Sequence, residues 1–266
     1  MTIEPMGRAE REIAHSRKIS SRNTEKLWGW GTPAGQLRAK RRVELIAESA
    51  RLGVGVRALE IGCGTGLFTE MFAGTGARII AVDISRELIE KAQSRGLPTN
   101  QVTFLEKRFE DCDVDGPFDA IIGSSVLHHL DMNAAPAKIY GLLKPGGRMS
   151  FAEPNMLNPQ IMMQKNIPSL KMRMGDSPDE SAFTRWQLRD LLRNAGFVNV
   201  NILPYDWLHP ATPISFIKLL AKTGQILEKI PIMREFSGSL HICCSRPKKT
   251  YFPFDGVHQD TAIEKK

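Results

Sequence analysis

The sequence has few of the features that place a chain in a membrane or in an oxidising compartment. None of its apolar runs approaches the roughly 18 residues that a membrane span needs. The N-terminal stretch is polar and shows no apolar signal segment, so we expect no export. The four cysteines show no metal-ligand spacing, and the adjacent Cys243 and Cys244 are poor disulfide partners. We therefore expect reduced thiols, no bound metal and a cytoplasmic protein.

Acidic residues are also scarce, and this leaves a basic chain. Its 36 Lys and Arg outnumber 29 Asp and Glu, which gives a net charge of +7 at pH 7. Residues 1–51 carry eleven of these basic side chains against six acidic ones. Such an excess favours nucleic acid, an anionic membrane surface or an acidic substrate as partner, and a solvated helix accounts for it equally well. With 266 residues, the chain can form one decorated α/β domain.

The most informative segment, residues 57–85, has the pattern of a strand, a glycine-rich turn, a helix and a second strand. The turn is Gly62-Cys63-Gly64-Thr65-Gly66, and the second apolar run, residues 79–82, stops at Asp83. Glycine lets the backbone approach a ligand closely, and a carboxylate in this place can accept hydrogen bonds from ribose hydroxyls. Leu67 stands where a dinucleotide-binding turn has its third glycine, so a different adenosine cofactor is favoured.

The run from Glu60 to Gly66 resembles the first motif of the class I S-adenosylmethionine-dependent methyltransferases. Over about residues 56–154, the sequence is similar to their small-molecule, methyltransferase type 11-like subgroup. The resemblance implies S-adenosyl-L-methionine as the cofactor. The cofactor-binding residues that it implies are Glu60, Gly62, Cys63, Gly64, Gly66, Asp83, Ile84, Phe109, Glu110 and Ser124.

The family assigns a role to most of these residues. The glycines would line the methionine moiety through their backbone, while Glu60 would orient the turn and approach the cofactor's ammonium group. Asp83 would bind both ribose hydroxyls, and Ile84 would press on the adenine. A second interpretation of Asp83 stays open, because aspartate is also a good N-cap for the helix predicted at residues 86–95.

The adenine end departs from the family pattern. Many members have an aspartate after the third strand that binds the adenine amino group, whereas Arg108 occupies that position here. Either Glu110 or Asp111 takes over this contact, with Phe109 packing nearby. Arg108 then pairs with an acid or stacks on the base.

Candidate catalytic residues follow the fourth and fifth strands. Ser124 ends the fourth strand, where the sulfonium is expected, and His128 and His129 come shortly after it. A histidine with its usual pKa near 6.5 could accept the proton of an acceptor hydroxyl, so His128 is the first candidate. Glu153, at the end of the fifth strand, could orient or deprotonate the acceptor. For both residues, a purely structural role in the loop remains the alternative.

The resemblance implies a doubly wound, mostly parallel sheet of seven strands in the order 3-2-1-4-5-7-6, with helices on both faces. Strands are predicted at 57–61, 78–82, 102–106, 118–123, 147–153, 197–203 and 239–245. Helices are predicted at 67–73, 86–95, 133–142 and 184–195, and one more begins after an N-cap at Thr32. The segment from Leu143 to Arg148 is interpreted as the turn before the fifth strand.

Three regions are expected along the chain. Residues 1–52 form an N-terminal arm, either mobile or weakly helical, and a helical lid in which Trp28 and Trp30 either cover the cofactor or anchor the first helix. Residues 53–246 form the methyltransferase domain, and residues 247–266 form a tail. Within the domain, helical insertions at 154–182 and 205–237 would cap the acceptor side.

The composition of the two insertions indicates which class of methyl acceptor to expect. The first is rich in methionine, and the second carries an apolar helix, which suits an apolar or amphiphilic acceptor such as a lipid-linked or quinone-like compound. That helix could also touch a membrane surface, or both insertions simply pack on the sheet. Because the isoelectric point is about 9.3, an RNA methyltransferase remains an alternative function. A non-enzymatic interaction protein on the same fold is the third hypothesis.

Overall fold

The computed structural model describes residues 7–20, 23–174, 177 and 181–248. The strands are β1 (Arg57–Ile61), β2 (Arg78–Asp83), β3 (Val102–Glu106), β4 (Phe118–Ser124), β5 (Leu143–Pro154), β6 (Val198–Tyr205) and β7 (Ser239–Ser245). The helices are α1 (Arg8–Ser20), α2 (Thr24–Leu27), α3 (Pro33–Ala50), α4 (Leu67–Ala73), α5 (Arg86–Gln93), α6 (Ala135–Leu142), α7 (Pro159–Asn166), α8 (Pro168–Met174), α9 (Arg185–Asn194), α10 (Ile214–Leu227) and α11 (Pro231–Arg234).

The seven strands form one sheet in the order β3-β2-β1-β4-β5-β7-β6. β7 runs antiparallel to both of its neighbours, β5 and β6, and the other pairs are parallel. The sheet order predicted from the family resemblance is thereby confirmed. Successive strand residues pack into separate clusters on the two faces, as Ala58 and Leu59 do. The sheet is therefore buried on both sides, which suits parallel strands connected by helices.

Side-chain caps set where several helices begin. Thr32 Oγ1 accepts a hydrogen bond from the Gly35 N–H at 3.0 Å, so α3 starts at Pro33 as predicted. Ser85, rather than Asp83, caps α5, because its side chain accepts the Leu88 N–H at 3.3 Å. The N-cap interpretation of Asp83 is therefore wrong, and this carboxylate has another role.

The start of the fifth strand differs from the prediction. β5 begins at Leu143, so the segment to Arg148, interpreted as a turn, belongs to the strand. The pairing with β4 shifts register between Phe118 and Ala120, and Gly146 adopts a φ of +82°. A glycine in the left-handed region lets the strand bulge and continue, which explains why a turn-like sequence stays in the sheet.

The N-terminal segment contacts the domain, and of the two alternatives for residues 1–24 the described part contains the helix, α1. Arg17 Nε lies 3.1 Å from Glu87 Oε1 on α5. Thr65 Oγ1, in the glycine turn, donates to Glu25 Oε1 at 3.0 Å. The division into regions 1–52, 53–246 and 247–266 stays a prediction, and residues 249–266 of the expected tail lie outside the described residues.

Both insertions contain helices at the edge of the sheet where the parallel strands end. α7 and α8 fall in the first, and α10 and α11 fall in the second. The alternative that the insertions simply pack on the sheet does not hold for α10, because Gly224 is its only buried residue. Across the described ranges, no helix combines the length and the apolar character that a membrane crossing requires.

Candidate functional site

A cavity of about 670 Å³ opens at the carboxyl ends of β1, β2 and β4. The ends of these strands contribute Ile61, Asp83 and Ser124 to its wall. Residues of α1 and the segment around Trp28 cover it from the N-terminal side, and the loop 206–211 closes it from the other. This is the edge at which doubly wound sheets bind their ligands.

The glycine turn forms one wall and depends on two close approaches. Gly62 has a φ of +70°, and a Cβ built on it would lie 2.4 Å from Val126 Cγ2. Gly66 has a φ of +75°, and its Cβ would lie 2.9 Å from that of Ala92 on α5. Any other residue at these two positions would push the turn off its neighbours. The two glycines thus hold the turn close against Val126 and α5.

Asp83 is held against this turn by the backbone. Its Oδ2 accepts the Gly64 N–H at 2.8 Å, and its Oδ1 accepts the Ser85 N–H at 2.9 Å. Burial raises the pKa of Asp83, and these two N–H groups partly offset that effect. Each oxygen retains lone-pair capacity, so the carboxylate can accept two further hydrogen bonds from a diol in the cavity.

Glu60 lies beneath the turn, with 1% of its surface exposed, and is not among the described residues that line the cavity. Its Oε2 is buried and has no hydrogen-bond partner within the described ranges. Burial raises the pKa of Glu60 to about 8, and the nearby Thr69 hydroxyl offsets this only in part. Burial therefore favours the protonated form of Glu60 in the folded chain.

Arg42 is a buried cation in the cavity wall that the sequence analysis missed. Its guanidinium donates to Ser124 Oγ at 3.0 Å, to Ser125 Oγ at 2.8 Å and to Ser239 Oγ at 2.8 Å. It also lies 5.0 Å from the centroid of the Trp30 ring. Its Nε is buried without a hydrogen-bond partner in the described part of the chain. The site thus carries a positive charge beside the end of β4 and the start of β7.

His128 and Glu153 form a buried pair at the same strand ends. His128 Nδ1 lies 2.6 Å from Glu153 Oε2, while Glu153 Oε1 accepts the N–H groups of Val126 at 2.8 Å and Leu127 at 2.9 Å. Burial would raise the pKa of Glu153, but His128 and the two N–H groups outweigh it, so the pKa is lowered. His128 lines the cavity, whereas Glu153 lies behind it.

The end of the cavity where the sequence predicts the adenine is formed by the short turn after β3. Phe109 is buried and lines the cavity together with Glu110. Arg108 pairs with two acids, its Nε lying 3.2 Å from Glu110 Oε2 and its Nη1 lying 3.5 Å from Asp111 Oδ2. Of the two interpretations of Arg108, the ion pair is the one that this structure contains.

Trp28 and Trp30 make different contacts. The sequence left open whether they cover the cofactor or anchor the first helix. Trp28 covers the glycine turn, since a Cβ built on Gly64 would lie 3.4 Å from its ring. Trp30 packs edge-on against Phe68 with ring centroids 5.2 Å apart, as an anchor of the first helix would. Thr32 Oγ1 donates to the Pro210 carbonyl at 2.7 Å, which joins the same segment to the second insertion.

Most of the residues predicted for the site meet in this one cavity. Those that line it are Gly62, Cys63, Gly64, Asp83, Ile84, Phe109, Glu110, Ser124 and His128. Those of the predicted set that lie outside its lining are Glu60, Gly66 and Glu153. Burial raises the pKa of the Cys63 thiol, so this residue offers backbone rather than a thiolate. Within the described ranges, no cluster of His, Cys, Asp or Glu could hold a metal ion.

Comparison with known proteins gives a domain-level match. Residues 58–147 match a family model described as a methyltransferase domain, which confirms the resemblance to methyltransferases for this part of the chain. A ubiquinone biosynthesis O-methyltransferase of Xanthomonas oryzae pv. oryzae (strain PXO99A) is 36% identical over 133 residues, which are 48% of this chain and 56% of that protein. Its counterpart in Xylella fastidiosa (strain 9a5c) is 39% identical over 129 residues, 46% of this chain and 52% of that protein. The chain thus spans about half the length of these relatives.

Solved structures share the whole fold at low sequence identity. The N-methyltransferase NodS from Bradyrhizobium japonicum WM9, solved with S-adenosyl-L-homocysteine, aligns with a TM-score of 0.62 and 17% identity over 90% of this chain and 100% of that one. The [4+2]-cyclase SpnF aligns with a TM-score of 0.63 and 19% identity over 93% of this chain and 100% of that one. Because the second is described as a cyclase, the fold alone does not specify the reaction.

Proposed function

We propose that this chain, whose residues 58–147 form a methyltransferase domain, uses S-adenosyl-L-methionine to methylate a hydroxyl group of a small apolar or amphiphilic acceptor. One observation carries the proposal. A single cavity of about 670 Å³ has Asp83 on the glycine turn in its wall and also His128, whose imidazole is paired with a buried carboxylate. The volume lies within the roughly 300–1,000 Å³ typical of small-molecule sites.

The residues present suit the chemistry of this cofactor. Gly62 and Gly64 leave bare backbone for the amino-acid part, and Asp83 offers acceptors to a ribose diol. Arg42 supplies a cation with an orphaned buried Nε, which suits a carboxylate. When bound, S-adenosylmethionine would supply a sulfonium-activated methyl group to an acceptor oxygen, and its sulfur would leave as a neutral thioether with the electron pair of the broken bond.

The chain's own contribution is positioning and proton removal. Holding the acceptor oxygen in line can supply roughly 7 kcal/mol or more of the barrier. We assign His128 as the general base that takes the hydroxyl proton. Glu153 stabilises the imidazolium that results, as a buried carboxylate 2.6 Å from Nδ1 can.

The acceptor class follows from the cavity's lining and from the relatives. Apolar and aromatic side chains contribute to the wall on the lid and loop sides, among them Ile19, Leu27, Trp207 and Leu208. The matching O-methyltransferases of ubiquinone biosynthesis support an aromatic hydroxyl as the group methylated. We therefore propose a phenolic or quinol-like acceptor that carries an apolar substituent.

The test is to follow the methyl group. Purified protein is incubated with methyl-labelled S-adenosylmethionine and, in parallel, with a lipid extract, a panel of alkyl-substituted catechols and total RNA. Label in an apolar phenolic product supports the proposal. Label that enters RNA alone, or no transfer to any acceptor despite cofactor binding, contradicts it. The Asp83→Ala variant serves as the control for background transfer.

A further inference from the structure

Helices α10 and α11 present an apolar surface to solvent. Of the eighteen large apolar side chains that are exposed in the described part of the chain, nine lie between residues 214 and 236. We call this set the α10–α11 surface, and it consists of Ile214, Phe216, Leu219, Leu220, Ile226, Ile230, Ile232, Met233 and Phe236. Scattered exposed apolar residues are normal, but such a concentration marks a contact surface.

The charged side chains of this segment that are exposed to solvent are basic. Lys218, Lys222 and Lys229 are exposed within the apolar set. The two acids of the segment turn toward the body: Glu228 binds Arg41 at 2.8 Å, and Glu235 lies 2.9 Å from Arg185. An exposed apolar helix with lysines and without exposed acids matches an interface where acyl chains meet anionic headgroups.

The α10–α11 surface borders the cavity. The loop 206–211 both lines the cavity and leads into α10. Gly224 lets α10 pack directly on Trp207, a cavity residue, because a Cβ there would lie 2.9 Å from the tryptophan Cβ. At the other end, the Phe236 carbonyl accepts the side-chain N–H of Asn158, another cavity residue, at 2.9 Å.

We propose that the α10–α11 surface docks on an anionic lipid bilayer and places the cavity beside the membrane. The docking stands on the surface itself; that the acceptor enters from the bilayer rests in addition on the proposed function. A second copy of the chain is the less favoured occupant, because pairing this surface with itself would bury lysines with no exposed acid opposite them.

The experiment measures partition into vesicles of phosphatidylcholine, with and without phosphatidylglycerol, by co-sedimentation of the full chain. We expect binding to the anionic vesicles, with a partition coefficient that falls about tenfold or more in the Phe216→Ser/Leu219→Ser variant. The Lys218→Gln/Lys222→Gln variant should lose about tenfold on anionic vesicles only. Val54→Ser is the matched control, because Val54 is 91% exposed near the amino end of β1, at the opposite edge of the sheet.

Calorimetry with S-adenosylhomocysteine on each variant separates docking from folding and from the proposed activity. A variant that binds the nucleoside normally and loses the vesicles supports docking. The proposal is overturned if the wild type and the Phe216→Ser/Leu219→Ser variant partition equally into vesicles. It is also overturned if sedimentation velocity without vesicles shows a wild-type dimer that the two serine substitutions dissociate. Failure of the wild type to bind the nucleoside counts against the proposed function and leaves the vesicle result to stand by itself.

Discussion

His128 Nδ1 lies 2.6 Å from Glu153 Oε2, and the other oxygen of that carboxylate accepts two backbone N–H groups. The carboxylate is thus fixed by the loop after β4, and it fixes the imidazole in turn. The two residues act as one unit, so their substitutions should not be additive. This pair is the part of the site on which the chemistry of the proposal depends.

Replacing His128 by alanine should lower kcat with a phenolic acceptor by about 10²- to 10⁴-fold, the range for loss of a general base. The affinity for S-adenosylhomocysteine should change little. Glu153→Gln should also lower kcat, and the double variant should be no slower than the worse single one. Steady-state kinetics measures kcat for each variant, and calorimetry measures its Kd for S-adenosylhomocysteine separately. Full turnover by His128→Ala would reduce the pair to a structural element of the loop.

Asp83→Ala should weaken S-adenosylhomocysteine binding by about 1–3 kcal/mol, because hydrogen bonds from the ribose to a charged acceptor are lost. Asp113→Ala is the matched control, since Asp113 is exposed and outside the cavity lining, although its partner Lys107 lies in that lining. Isothermal titration of both variants measures the difference. If the two variants bind equally well, the ribose assignment of Asp83 fails.

Arg42→Gln should weaken S-adenosylhomocysteine much more than 5′-methylthioadenosine, because only the first ligand has a carboxylate for the guanidinium. A purely structural role would weaken both ligands alike, through the lost bonds to Ser124, Ser125 and Ser239. The ratio of the two dissociation constants is therefore the informative quantity. Arg42→Lys, which keeps the charge, should recover part of the preference.

Glu60 should make the protein less stable as the pH rises. Its pKa is raised from 4.5 to about 8, so the folded state keeps a proton that the unfolded chain releases between these values. The contribution of Glu60 to the free energy of unfolding is then fully present below pH 4.5. It is lost progressively as the pH rises through 8, by up to about 5 kcal/mol. Glu60→Gln, which cannot ionise, should flatten this dependence in urea unfolding measured across that range. An identical slope for both proteins would show that Glu60 is not protonated in the fold.

Local patterns predicted much of the fold and the residues that meet at the glycine turn. The glycine turn, Asp83 and the Thr32–Pro33 helix start each depend on residues a few positions apart, and the family resemblance supplied the order of the strands. The same local logic failed at Gly146, where a glycine pair typical of a turn lies in a bulged strand.

Long-range contacts could not be predicted in the same way. Arg42 meets Ser239 across 197 residues of sequence, and nothing near it in the chain distinguishes it from the neighbouring arginines. The same holds for α10: its apolar residues fit a core helix equally well, and only the tertiary structure shows that they face solvent. The sequence thus indicated the ligand-binding edge, while the cation in its wall and the exposed surface beside it required the structure.

The most direct test of the central claim is calorimetric titration of the purified chain with S-adenosylhomocysteine. The account predicts saturable binding with one ligand per chain, which weakens in Asp83→Ala and persists in Asp113→Ala. The account would be contradicted if the chain is folded by circular dichroism yet binds no S-adenosylhomocysteine. It would also be contradicted if Asp83→Ala and Asp113→Ala bind this ligand equally well.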